Sequence, residues 1–241
     1  MKNISKMLNS AERFKILVDE LLGRVEVKDA GEHRVASILF LTIAEQYSAT
    51  LHLVRGGFSS HAPTMAKSML EALVNLQLIV MDSSHADQMR YKDASENIRL
   101  FNDYAKDPEV QQDKAIIQTL TEWKTQAEVV FNELRANGFK KKNIEDEFER
   151  AGLNNNYIAY RVYCATAHNQ LTTLKARHAG VPILRYHEEA PAESTASLLT
   201  SIVSILGRAV QTLPTYTTAT EEDVRKVVDD AEESWEEFLA S

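Results

Sequence analysis

The sequence predicts an all-α protein, and three observations carry that reading. Glycine (8) and proline (5) are scarce among 241 residues, which favours helices over turn-rich sheet. Apolar residues recur every three or four positions and nowhere alternate over a long run. Stop and start signals such as Gly56-Gly57, Asp107-Pro108 and Asn137-Gly138 punctuate the chain at helix-length intervals. A bundle of about eight or nine helices is expected, with helix exceeding roughly two-thirds of the residues.

The first helix runs from Ile4 to about Glu26, with Phe14 and Leu21 on its apolar face and Gly23 near its end. The second, from about Gly31 to Val54, places Val35, Leu39, Ile43, Tyr47 and Leu51 on one face. Gly56-Gly57 stops it, and Pro63 sits in the first turn of a third helix that reaches about Met81. A link this short makes the two helices antiparallel neighbours.

The third helix, HAPTMAKSMLEALVNLQLIVM, is apolar nearly all round and belongs in the middle of the bundle. Its polar residues Lys67, Glu71 and Asn75 follow one another every four residues. A buried carboxylate needs a partner. For Glu71 that is Lys67 one turn back, or an arginine or histidine from another helix, and Arg161 or His168 is expected within salt-bridge distance.

Ser84, with Asp87 three residues on, marks the start of a fourth helix that ends near Lys106. Asp107-Pro108-Glu109 then opens a long fifth helix, with Ile116, Leu120, Trp123, Ala127, Val130 and Leu134 on one face and Asn137-Gly138 at its end. The basic run Lys140-Lys141-Lys142 reads as the solvated start of a short helix ending at Arg150. Residues 152–156 form a loop.

Tyr157 to His178, YIAYRVYCATAHNQLTTLKARH, gathers aromatic, cationic, thiol and imidazole groups at helical spacing. On one helix Arg161 and His168 differ by roughly 20° in azimuth and about 10.5 Å in height, so Tyr157, Arg161, Cys164 and His168 form a stripe with Tyr160 beside it. A guanidinium can grip a phosphate with two parallel hydrogen bonds, and an imidazole can exchange a proton near neutral pH. Together they suit a phosphodiester. The alternative is that Tyr160, Tyr163 and Cys164 pack while Arg161 and His168 are ordinary helix-surface groups.

Residues 179–191 carry no helical pattern, and any strand is expected within Val181–His187. Pro191 opens a helix to about Leu213, with Leu198, Ile202, Ile205 and Val210 on its buried side. Thr220 caps a last helix over about 220–240, where Val224, Ala231, Trp235 and Phe238 form an apolar stripe. Residues 216–241 hold nine acids and two bases, a net −7 of the chain's −8, so this helix is read as docked with its acids in solvent. All of this is assigned to one domain, 1–241.

The near-neutral remainder excludes a broad nucleic-acid-binding surface, and DNA is not an expected partner. The single cysteine excludes an internal disulfide and a cysteine-based zinc site. No Glu-x-x-His pair, HExxH, phosphate-loop glycine pattern or Gly-x-Ser-x-Gly occurs. No metal or other cofactor is expected. The N-terminal residues lack the apolar core of a signal peptide, and no stretch reads as a membrane span, so a cytoplasmic protein is the expectation.

Lys67-Ser-Met-Leu-Glu71 on a buried helix, with Tyr160-x3-Cys164-x3-His168 later, resembles an uncharacterised bacterial family, the domain-of-unknown-function family fifty-six seventy-seven. Its members pair Arg-Ser-x-x-Glu with Tyr-x3-Ser-x3-His; here lysine stands for the arginine and cysteine for the serine. Arg161-x6-His168 is also similar to the signature of the HEPN superfamily of helical bundles: arginine, four to six residues, then histidine. Arg55-x5-His61 fits the same spacing but crosses the Gly56-Gly57 break. The HEPN resemblance implies a metal-independent endoribonuclease of a toxin or phage-defence type, acting on RNA as a homo-oligomer whose motifs meet at a dimer interface. His168 would then handle the proton and Arg161 the phosphate charge, with Tyr160, Cys164, Lys67 and Glu71 as substrate-binding neighbours. The competing expectation is a non-catalytic helical interaction or regulatory module.

Overall fold

A computed structural model describes residues 4–178 and 190–240, with side chains as far as Trp235 in the last helix. The described residues are 81% helical, and their β-structure consists of an isolated bridge between Val27 and Thr217. The helices are α1 (Ile4–Leu22), α2 (Gly31–Arg55), α3 (Pro63–Met81), α4 (His85–Tyr104), α5 (Pro108–Gln112), α6 (Lys114–Ala136), α7 (Ile144–Arg150), α8 (Asn154–Ala167), α9 (Leu171–His178), α10 (Ala192–Val210), α11 (Leu213–Tyr216) and α12 (Glu221–Ala240). Eight of these have fourteen residues or more; of the four short ones α7 was expected, while α5, α9 and α11 follow chain breaks that periodicity alone does not show.

The chain forms two compact units, residues 1–81 with 147–241 and residues 82–146. In the larger unit α3 packs against α2, α8 and α10, while α1 packs against α12, α10 and α2. The middle position expected for α3 is observed: Ala66, Met69, Leu70, Leu73, Val74 and Leu76 are completely buried. Gly57, at φ 79°, lets the chain leave α2 through a left-handed residue, with Phe58 N–H bonded to Leu53 O (2.7 Å) and Gly57 N–H to Val54 O (3.2 Å). Tyr47 reaches from α2 to donate to the Ala11 carbonyl of α1 at 2.7 Å, and burial pushes its phenol well above the usual value.

The first helix ends four residues sooner than expected, at Leu22. Beyond it the backbone is tied elsewhere: Lys28 N–H bonds to Tyr216 O (2.9 Å) and Thr218 N–H to Glu26 O (2.8 Å). The segment 192–216 is long and apolar enough to cross a membrane by length and composition, against the expectation of no such stretch. Leu198, Leu199, Ile202, Ile205 and Leu206 are nonetheless buried within the larger unit, so its apolar residues serve the core. At the last helix Thr220 and Asp223 cap one another: Asp223 N–H bonds to Thr220 Oγ1 (3.1 Å) and Thr220 N–H to Asp223 Oδ2 (3.1 Å). Val224, Val227 and Ala231 are buried, as docking requires, while the expected Phe238 contact and residues 179–189 lie outside the described side chains and residues.

The smaller unit is a helical pair, α4 against α6, held by a Tyr91–Phe131 stack (centroids 5.0 Å apart) and a Phe101–Trp123 contact (6.1 Å). Two helices cannot cover both sides of each, so Ile116 and Trp123 of the expected stripe remain 45% and 53% exposed. Ser84 does not cap α4, because its side chain makes no capping bond and Asp82 accepts its amide instead. The long fifth helix is split: Asp107 caps α5, and Asp113 caps α6 by accepting from Ala115 and Ile116 N–H. Lys140, Lys141 and Lys142 belong to a non-helical connection rather than a helix start.

Candidate functional site

The helix expected over 157–178 breaks in the middle. Asn169 adopts φ 51°, Gln170 N–H bonds to Ala165 O (3.0 Å) and Asn169 N–H to Thr166 O (3.2 Å), a Schellman end with asparagine at the left-handed position. Asparagine tolerates that conformation better than most side chains. As a result His168 is the C-terminal cap of α8 rather than a mid-helix residue. The signal in the sequence is Asn169 itself, inside a stretch whose helical spacing otherwise continues.

The two polar stripes do meet, since α3 packs against α8. Their connection is not the expected one. Glu71 receives both hydrogen bonds of Lys67 Nζ (2.9 and 3.0 Å) and a third from the Tyr160 hydroxyl to Oε1 (2.9 Å). Neither Arg161 nor His168 supplies its cation. Lys67 lies on Glu71's own helix, four residues back, and satisfies the carboxylate before α8 contributes a charge. Asn75 completes the row by donating to the Glu71 carbonyl at 2.9 Å.

Tyr160 is 8% exposed, wedged against Phe148 (centroids 5.0 Å) and alongside Tyr157 (6.1 Å), while Lys67 Nζ stands 6.0 Å from its ring centre. Burial, the neighbouring Cys164 thiol and the Glu71 charge push its phenol well above the usual value. It therefore stays a hydrogen-bond donor throughout the ordinary pH range. Lys67, Glu71 and Tyr160 turn their polar atoms toward one another, a network that ties α3 to α8.

Arg161 and His168 lie outside this network. Both are exposed; Arg161 lies over the Tyr157 ring at 5.9 Å from its centre, and His168 stands one turn beyond half-buried Cys164. Ile158 and Val162 beside them are 73% and 59% exposed. The site therefore has two layers: a satisfied Lys67–Glu71–Tyr160 layer beneath, and an accessible cation–imidazole pair above. Among the described residues no group of three or more metal-binding side chains occurs.

Sequence reasoning missed one feature nearby. Arg177 Nη2 lies 2.8 Å from His61 Nε2, joining the end of α9 to the link before α3. In the sequence His61 closes the Arg55-x5-His61 spacing, a pair divided by the α2 terminus. Arg55 instead pairs with Glu12 of α1.

No curated protein and no solved structure matches this chain. Residues 33–181 match the model of a family of unknown function, DUF5677, a span that contains Lys67, Glu71, Tyr160, Cys164 and His168. The chain belongs to that family.

Proposed function

We propose that the protein is a HEPN-type, metal-independent endoribonuclease acting in the cytoplasm in a toxin or phage-defence role, with Arg161 and His168 as its catalytic residues. The supporting observation is that both side chains are exposed, Arg161 on α8 and His168 at its C-terminal cap, where a polymeric anion can reach them. The reaction needs little from the protein. A neutral His168 accepts the proton of an RNA 2′-hydroxyl; the 2′-oxygen attacks the adjacent phosphorus, and the bond to the 5′-oxygen breaks. That oxygen takes a proton, leaving a 2′,3′-cyclic phosphate and a 5′-hydroxyl. Arg161 holds charge on the phosphate through the transition state.

One arginine and one histidine about 10.5 Å apart along a helix span more than a single phosphate. Two copies meeting at α8 would bring the arginine of one to the histidine of the other, with Ile158 and Val162 supplying apolar contact. The lower layer holds α8 in register, and Cys164 lies between it and His168. The test is cleavage of single-stranded RNA in EDTA. His168→Ala should lower the rate by about a hundredfold or more while leaving the circular dichroism spectrum unchanged. Equal rates for the two proteins would dismiss the proposal.

A second reading, a non-catalytic helical interaction module, is favoured by the same exposed Ile158 and Val162 together with Leu171 at 66%. It predicts no RNA cleavage and retention of partner binding in His168→Ala.

A further inference from the structure

A cavity of about 990 Å³ opens within the larger unit between α8, α9 and the start of α10. That volume lies at the upper end of the range for small-molecule sites. Val162, Tyr163 and Leu198 give it apolar walls, and Thr166 and Thr173 give it hydroxyls. Arg177 supplies the cation.

Arg177 is incompletely satisfied. One of its terminal nitrogens contacts His61, but its Nε is sealed from solvent and has no hydrogen-bond partner. A buried guanidinium N–H without an acceptor is costly, and native structures rarely leave one so. Water does not reach Nε where it stands, so an acceptor in the cavity meets it when the Arg177 side chain shifts toward the space that the residue lines. Glu193, the acid that also lines the cavity, is exposed. The first turn of α10 adds weight in the same direction, because Pro191 precedes it and no side chain caps its amides.

We infer that this cavity is a binding site for a small amphiphilic anion, with a carboxylate or phosphate head against Arg177 and an apolar body between Val162 and Leu198. Neither Arg161 nor His168 lines it, so the inference does not rest on the nuclease proposal, although the two share Val162. A guanidinium gives such a head charge-assisted, directional bonds, whereas a neutral head offers it only a weak acceptor. The apolar walls contribute without regard to charge.

The test is isothermal titration of the intact protein with octanoate, octyl phosphate and 1-octanol. The two anions should bind about tenfold or more tightly than the alcohol, and whichever is tighter names the head. Arg177→Gln should remove that advantage while leaving octanol binding unchanged. Thr173→Trp, which intrudes into the cavity, should weaken all three ligands, and melting curves show that each variant is folded. Equal affinity for octanoate and octanol, octanoate binding untouched by Arg177→Gln, or no binding of either anion would overturn the inference.

Discussion

Tyr160 on α8 donates its hydroxyl to Glu71 on α3 at 2.9 Å, across 89 residues of sequence. The bond joins a half-exposed carboxylate to a buried phenol, so its worth falls between surface and core values. Tyr160→Phe should destabilise the protein by about 1 kcal/mol in urea unfolding, keeping the ring packing and losing only the donor. A double-mutant cycle with Glu71→Gln should return a coupling of at least about 0.5 kcal/mol.

Glu71→Ala should cost less than a sealed ion pair would. The Lys67 and Glu71 side chains are 19% and 37% exposed, so neither is sealed and water can enter beside an orphaned Lys67. The expected loss is about 1 kcal/mol rather than the roughly 3–5 kcal/mol of a fully buried pair.

The break after α8 depends on Asn169. Asn169→Gly should be neutral or slightly stabilising, because glycine enters the left-handed region freely. Asn169→Val should destabilise by about 1–2 kcal/mol. If the valine variant melted at the same temperature as wild type, the Schellman end and the cap position of His168 would both be in error.

Asp223 predicts a pH effect with a definite sign. Hydrogen bonds from the Thr220 hydroxyl and amide, with Arg24 and Lys226 nearby, hold its carboxyl below the usual value of about 3.9. A depressed folded value means that its contribution is present above the unfolded value and is lost as pH falls through the folded one. Asp223→Asn should therefore flatten the decline in stability below about pH 4 relative to wild type. Urea midpoints measured across that interval would show it.

The helices were legible because their apolar residues repeat at helical spacing and glycine, asparagine or proline marks many ends. Breaks decided by a single backbone conformation were not. Asn169 at positive φ and Asp113 as a cap both sit inside runs whose periodicity continues, so a pattern reader passes over them. At the site, the pairing of the two polar stripes was legible because Glu71 needs a cation. Lys67, one turn back on the same helix, was legible as a partner, but the choice of Tyr160 over Arg161 was not, because it depends on how far α8 is rotated against α3. The Arg177–His61 contact joins residues 116 apart and leaves no periodic trace.

The nuclease proposal is tested most directly by the chemistry of its product. Single-stranded RNA incubated with the protein in EDTA should yield fragments ending in a 2′,3′-cyclic phosphate, and a 2′-deoxy substitution at the cut position should block that cut. Intact RNA, or cleavage indifferent to the missing 2′-hydroxyl, would contradict the account.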